Sequence, residues 1–552
     1  MMDPKNRLRR NLPLLLLLFA ASNCFLQIAW FWRFFAHDIT MDGINYIGLA
    51  RHLLDGNFIA SVHGYWSPLI SWLIAASGLF TRDLALLAQL ITLFSLLACM
   101  PLLYLLTFVL WRSHLAAALA VFWFSIARGI IAGAFATIQA DFLFAACSLG
   151  YFVILIRCLR QGGRWNWFLL GTVHALAFLA KAFAMPWLSI STVLAVVVRR
   201  RSWRSAAASL VLAFLVPALV WFGWGETLKV KYGFFTAGYQ LRANLMVDLR
   251  RQLNHTERGD PYPLSDVSYD KYMVVQTPPA GIQSFKVTNP ALLAVILKNE
   301  LHNVPRALKE LVILLTPGGV LGLIVGLVLM TRAPASLSAE RVFCWICMSS
   351  LITLIAAYGM LVFDARYILP ITPVLMAIAA PFIVPSSQPG LLRLPPVLQK
   401  LSLTLLCASA LFFTFYWASP FRTVDRNFQS SCRDAATLID QHQPVAESLV
   451  SIGEGPYPEH GIGFEAGVYV AYLAGRHLLA MNSALPDTSL APKLAGAVLQ
   501  KRADAVVIWG MPTNRNYQEI IGELRHDTGA TSDEAILDPK MGEVGRVLFF
   551  HR

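Results

Sequence analysis

The chain has 552 residues, 57% of them hydrophobic and 14% charged, where an ordinary soluble domain carries about a quarter charged residues. Several apolar runs reach the roughly 20 residues that a helix needs to cross a bilayer, so composition excludes a soluble protein and predicts a polytopic α-helical membrane protein. The formal charge of +13 is no sign of nucleic-acid binding, because Lys and Arg sit in short segments between apolar runs, as the positive-inside pattern requires.

The N-terminus reads "MMDPKNRLRR", and four of these ten residues are Lys or Arg. That predicts a cytoplasmic start. The apolar run that follows is too long for a signal peptide and lacks a small-residue cleavage site, so it is read as a retained span over 11–35. Residues 37–83 then form an external loop. Within it, "HDITMDGINYIGLARHLLDGNF" predicts an amphipathic helix lying in the membrane interface, with Ile47, Ala50, Leu53 and Leu54 toward lipid. The apolar stretch 67–80 is short for a crossing and is expected to dip into the outer leaflet.

Spans are expected over 84–111, 115–136 and 141–157. A hairpin follows, with its tip near Lys181 and a basic segment at either end. After a span over 205–225 comes a long external loop, 226–306. Further spans are expected over 307–331, 342–363, 368–386 and 400–419, for about eleven in all. Residues 1–424 form the membrane domain. The tail, 425–552, alternates strand-like and helical segments and predicts a small α/β domain outside the membrane. It has no Gly-rich phosphate loop.

This topology puts Asp42, Asp141, Lys181, Asp364 and Arg366 at the external ends of their spans. Charged groups near bilayer depth usually face a cavity and mark a functional pathway. Seven of the eight cysteines lie in or beside apolar runs and are read as small packed hydrophobes, including those of "CWIC" at Cys344–Cys347. No His, Cys and Asp spacing makes a metal site.

Asp42 and Tyr46 are four residues apart and share a helix face. The run "DGINYIGLARHLLDG" has the pattern Asp-x-x-x-Tyr-x-x-x-Ala-x-x-Leu-Leu-x-Gly. "YWSPLISWL" follows it, then "ATIQADFLFAACSLGYF", "GTVHALAFLAKAF" and "DARYILPITPVL". In order and spacing these resemble the motifs of the GT-C membrane glycosyltransferases, the class of the protein O-mannosyltransferases and the aminoarabinose transferase of lipid A. The resemblance covers roughly residues 10–420. It departs in three places: Gly43 stands where the first motif often has a second acid, Ser67 replaces the first proline of a Pro-Pro-Leu segment, and Ala182 replaces a glycine after the hairpin lysine.

The resemblance implies an enzyme that transfers a hexosyl or pentosyl group from a polyprenyl-phosphate sugar to a hydroxyl of a glycan, lipid or protein acceptor. It implies a bacterial inner membrane with the active site outside. Asp42 is then the candidate base, Lys181 and Arg366 hold the lipid phosphate, and Asp141 orients the acceptor or helps hold a divalent cation.

Each residue also has a structural reading. Asp42 and Asp141 are both favoured helix caps, Lys181 can snorkel to the interface, and Arg366 can pair with Asp364. Arg128 is a second phosphate contact or the buried partner of an acid such as Asp141. His174 reads as a packed helix residue. The rival functions are a lipid or sugar transporter, for which the chain lacks the expected internal repeats, and an inactive GT-C-like assembly protein.

Overall fold

A computed structural model of the chain describes residues 4–35, 39–127, 138–199, 202–246, 290–332, 337–360, 365–383, 399–406, 424–442, 448–452, 470–474, 477–482, 504–509, 532–538 and 542–549, with isolated positions between them. The helices are α1 (Pro4–Phe35), α2 (Met41–Leu54), α3 (Phe58–Ser61), α4 (Pro68–Gly78), α5 (Leu84–Trp111), α6 (His114–Ile126), α7 (Asp141–Arg160) and α8 (Arg164–Ala180). They continue with α9 (Ala184–Arg199), α10 (Trp203–Tyr232), α11 (Pro290–Thr331), α12 (Ser338–Gly359), α13 (Thr372–Ile383) and α14 (Val424–His442). A 3-10 turn, Ala365–Ile368, lies between α12 and α13.

The chain divides into two units. One comprises Met1–His37, Val62–Arg250 and Ala280–Ala418; the other comprises Asp38–Ser61, Arg251–Pro279 and Ser419–Arg552. Segments 38–61 and 251–279 thus group with the tail rather than with the membrane helices. For α2 a reason is visible within the second unit, where the Arg51 guanidinium lies over the Tyr472 ring, 5.2 Å from its centroid, a cation–π contact.

In the first unit, six helices among the described residues are long and apolar enough to cross a membrane: Asn11–Trp32, Leu84–Trp111, Asp141–Arg160, Trp203–Tyr232, Leu292–Thr331 and Ser338–Gly359. Shorter apolar helices include α4, α6, α9 and α13. Two boundaries differ most from the hydropathy reading. Helix α6 ends at Ile126, where Ala127 turns to extended backbone. Helix α11 begins at Pro290, ahead of the expected 307, because the polar turns around Asn299 and Asn303 are used inside the fold. Asn299 Nδ2 donates to Met360 O and Asn303 Nδ2 to Gly359 O, both at 3.1 Å, satisfying carbonyls that the end of α12 leaves open.

Helix α11 is two helices joined at a kink. Thr316 leaves the helical region with φ 61° and ψ 157°. Its hydroxyl accepts from Gly319 N at 3.4 Å, and Pro317 fills the first helical position, where no N–H is needed. Beyond the break, glycines carry the packing. A Cβ on Gly318 would overlap the Ser402 carbonyl, one on Gly319 the Trp123 ring, one on Gly322 the Ile383 side chain and one on Gly326 the Phe382 ring. Lipid tails are as apolar as leucine, so close approach at small residues is what joins membrane helices.

Polar side chains lock the rest of the bundle. Asn23 and Gln27, one turn apart on α1, both donate to Ser125 O. Arg160 pairs with buried Glu340 and donates to Val109 O and Leu110 O, closing the end of α5. Tyr151 OH donates to Leu188 O at 2.9 Å, and Trp187 Nε1 donates to Ser350 O at 2.9 Å.

The second unit contains α2, α3, α14 and a five-stranded sheet of order β2-β1-β3-β5-β4. Its strands are β1 (Ser448–Ile452), β2 (His477–Asn482), β3 (Ala505–Trp509), β4 (Ser532–Asp538) and β5 (Gly542–Phe549). Strand β1 pairs in parallel with β2 and β3, while β5 runs antiparallel to β3 and β4. Central β3 is buried along its whole length, as a strand covered on both faces must be. Helix α14 packs on β4 and β5, with His442 stacked on Phe549.

The glycine stripe yields a test. Gly319→Ala must push back Trp123 and should cost about 1–3 kcal/mol, seen as a lower melting temperature in detergent. Gly223→Ala, on α10 with no atom within 4 Å of a built Cβ, should leave it unchanged or raise it slightly. Equal melting temperatures for the two variants would refute packing through the stripe.

Candidate functional site

Asp141 opens α7, and Lys181 closes α8 in extended backbone at φ −155° and ψ 119°. An acid at a helix N-terminus and a base at a C-terminus are each favoured by the helix dipole. The two side chains meet: Lys181 Nζ is hydrogen-bonded to Asp141 Oδ1 in a salt bridge whose side chains are only 11% and 6% exposed. Ala140 is the cap residue of α7, so Asp141 spends its carboxylate on the lysine rather than on its own helix. Arg128, the alternative partner for this acid, lies outside the described residues.

Two tyrosines border the pair. Tyr358, near the end of α12, stacks on Tyr367 of the 3-10 turn with centroids 4.2 Å apart and planes 11° from parallel. Lys181 Nζ lies 4.9 Å from the centre of the Tyr367 ring and 5.6 Å from that of Tyr358. Arg366 Cζ lies 5.5 Å from the same Tyr367 ring. The structure therefore brings Asp141, Lys181 and Arg366 together around one aromatic stack. Lysine and arginine are the side chains that bind an anionic ligand through charge-assisted hydrogen bonds. Tyr358 and Tyr367 were not singled out in the sequence. Tyr367 stands inside the quoted "DARYILP" run, but nothing in the pattern of α12 distinguishes Tyr358 from a packed aromatic.

A cavity of about 580 Å³ opens beside this group. Lys181, Phe183, Trp221, Gln240, Asn244 and Tyr358 are in its walls. The Tyr358 hydroxyl is buried and has no hydrogen-bond partner among the described residues. A large apolar chamber with a few convergent polar groups is the usual form of a ligand site.

The segment 62–67 frames the same region. Gly64 O accepts from Tyr239 N at 2.8 Å, and Tyr65 OH donates to Asn244 Oδ1 at 2.9 Å. A Cβ at Gly64 would lie 2.6 Å from the Tyr239 ring, so the close approach needs glycine. His63 Nδ1 accepts from Tyr65 N at 3.0 Å, which leaves the ring proton on Nε2, 3.4 Å from the Tyr239 oxygen. Burial pushes the Tyr239 phenol well above its usual range and keeps it neutral. Ser67 Oγ accepts from Ala182 N at 3.0 Å. Two of the three departures from the family pattern are thus partners in one hydrogen bond, directly after Lys181.

Asp42 and Tyr46 lie in the second unit, on α2. Thr40 caps that helix, accepting from Gly43 N at 3.2 Å, so the capping reading of Asp42 is replaced by a place in the first turn. Asp42 is half-buried and Tyr46 buried. The expected lipid-facing stripe is not found: Ile47 and Ala50 are fully buried, and only Leu54 of the four residues is exposed. The helix is buried around its whole circumference from Gly43 to Ala50, which an interfacial helix cannot be.

His174 is fully buried, with Nε2 3.2 Å from Ala184 O, and Cys344 and Cys347 are buried within α12. His37, Asp38 and Asp364 lie outside the described residues. Among the described residues no group of three His, Cys, Asp or Glu side chains could hold a metal ion. Asp141 gives Oδ1 to Lys181.

No protein-family model matches the chain, and no curated protein matches its sequence. Solved structures do match. The archaeal oligosaccharyltransferase AglB from Archaeoglobus fulgidus, in complex with an inhibitory peptide and a dolichol-phosphate, superimposes with a TM-score of 0.55 at 13% identity, over 98% of this chain and 74% of that one. ArnT from Cupriavidus metallidurans bound to undecaprenyl phosphate superimposes with a TM-score of 0.51 at 12% identity, over 97% of each chain. The apo state of ArnT gives 0.54. The chain therefore shares the fold of these structures.

The buried ion pair makes a quantitative prediction. Asp141→Asn or Lys181→Met alone leaves one buried charge without its counterion and should destabilise by about 3–5 kcal/mol, whereas the double substitution should recover much of the loss. Thermal unfolding of the four proteins in one detergent measures this. Additive losses would show that the two residues do not depend on each other.

Proposed function

We propose that the protein transfers a sugar from a polyprenyl-phosphate donor to an acceptor hydroxyl at the outer face of the membrane. The observation that carries this reading is the cluster of Lys181, Arg366 and the Tyr358–Tyr367 stack beside an apolar cavity. It supplies cations for a phosphate and apolar surface for a lipid, on a fold whose solved examples include structures bound to dolichol-phosphate and undecaprenyl phosphate.

In this reading the lipid tail stays in apolar surroundings, and the phosphate is met by Lys181 and Arg366, with Arg128 as a further contact. Asp141 holds the lysine in place. Asp42 takes the proton from the acceptor hydroxyl as the glycosidic bond forms, and Tyr46, one turn away, orients the acceptor. The phosphate leaves on the lipid. In the same reading the chain crosses the membrane about eleven times with the site and the tail domain outside the cytoplasm, a topology that the short basic loops support.

Purified protein is assayed with a radiolabelled lipid-linked sugar at varied donor concentration. Asp42→Asn should abolish transfer while the protein still folds, since the amide keeps the shape but cannot accept the proton. Arg366→Ala should weaken donor use by roughly ten- to a hundredfold, because a charge-assisted hydrogen bond is worth about 1.5–3 kcal/mol. Arg366→Lys should recover only part of that, having lost the fork. Normal turnover in Asp42→Asn, or movement of the labelled lipid across a vesicle without a new glycosidic bond, would overturn the proposal.

Topology has its own check. A cysteine at Gly461 should react with an impermeant thiol reagent added outside intact cells, and one at Arg164 should not. The reverse pattern would turn the site inward.

A further inference from the structure

Lys181 closes one end of α8. At the other end, 17 residues and about 25 Å away by helical rise, a second cavity lies where α7, α8, α9 and α10 begin or finish. Its volume is about 190 Å³, and Gln161, Gly162, Trp167, Arg199, Ser205 and Ser209 are in its wall. It plays no part in the site above.

Four observations describe its chemistry. First, the two turns at this end are basic: from Phe142 to Gly225 the sequence has no Asp or Glu, while Arg157, Arg160, Arg164, Arg199 and Arg204 stand at or beside the turns, Arg160 being paired with Glu340 of α12. Second, Arg199 is set in place. Its guanidinium donates to Leu159 O, and it packs on Gly162, which has φ +71° and where any Cβ would overlap it. Third, hydroxyl donors line the opposite wall. Ser205 and Ser209, one turn apart near the start of α10, are both in the cavity wall, and Ser202 caps that helix, so its positive end is directed to this region. Fourth, exposed tryptophans flank the cavity. Trp165 and Trp203 beside it are 75% and 78% exposed, as tryptophans of an aromatic belt are. The outward faces of the same helices carry exposed Val197, Val198 and Val211, apolar surface where acyl chains can lie.

We propose that this cavity binds the phosphodiester headgroup of an anionic phospholipid from the leaflet on the basic side of the membrane. The Arg199 guanidinium takes the phosphate oxygens, Ser205 and Ser209 donate to the headgroup, and the acyl chains run down the outer faces of α9 and α10. Basic pockets between membrane helices on that side are a recurrent form of lipid site. The bound lipid would tie the α7–α8 turn to the α9–α10 turn, and so brace α8 from the end remote from Lys181.

The probe is phosphatidylglycerol added to full-length protein in detergent, with binding read by native mass spectrometry and by thermal shift. Phosphatidylcholine and inorganic phosphate at matched concentration are the other arms. Phosphatidylglycerol should bind and raise the melting temperature where the other two do not. Arg199→Gln should weaken its binding about tenfold or more. Ser209→Leu, which fills the cavity without changing the charge, should do the same, and it decides the matter if Arg199→Gln fails to fold. Arg164→Gln removes a nearby charge outside the cavity and should bind normally. Unchanged affinity in Ser209→Leu, or equal loss in Arg164→Gln, would show that the lipid merely coats a basic surface. Stabilisation by inorganic phosphate equal to that by the lipid would show that the ligand is an aqueous anion. Either result overturns the proposal.

Discussion

A carboxylate and an ammonium buried together in an apolar bundle set the terms for the rest of the first unit. Taking Asp141 and Lys181 out of water is expensive, and their mutual contact, helped by the rings beside the lysine, offsets that cost. Each therefore has to be held where the other is. Asp141 is held by the start of α7 and Lys181 by the end of α8. The hydrogen bond from Ala182 N to Ser67 pins the following turn, and the Tyr358–Tyr367 stack closes the side the lysine faces. Asn299 and Asn303 secure the end of α12 that carries Tyr358. Segments far apart in the chain converge on one ion pair.

The pairing alters what the lysine can do. A free ammonium at the membrane surface would be a strongly hydrated point charge. Here it is half-neutralised, dehydrated and lined up against two aromatic faces, so its remaining capacity is directional. Arg366 shares the Tyr367 ring. A ligand arriving as a phosphate meets a preset geometry, which lowers the cost of ordering side chains around it.

Some of this was legible in the chain. The charges at the span ends, the tight hairpin at Lys181 and the "DARYILP" run each marked a true constituent of the cluster, because a charged residue among apolar ones is conspicuous. Their partnerships were not legible. Asp141 and Lys181 are forty positions apart, and hydropathy says nothing of which helices adjoin. Tyr358 was hidden among packing aromatics. The α2 helix was misjudged for the opposite reason: its apolar residues suggested contact with lipid, while burial by protein on every side leaves the same composition. The glycines after Thr316 show a related limit, since a run such as "TPGGVLGLIVG" reads as one continuous span until the backbone break at its head is seen.

The bond between Ser67 and Ala182 joins positions 115 residues apart. A proline at 67 would have no hydroxyl to offer, and the amide of Ala182 would need another acceptor. The hydroxyl at 67 and the backbone amide at 182 form a single joint. A chimera that took segment 62–67 from a chain with proline at 67 and kept its own α8–α9 hairpin would inherit half of it. Recombination experiments with this fold should therefore exchange the two segments as one block, however far apart they lie in the gene.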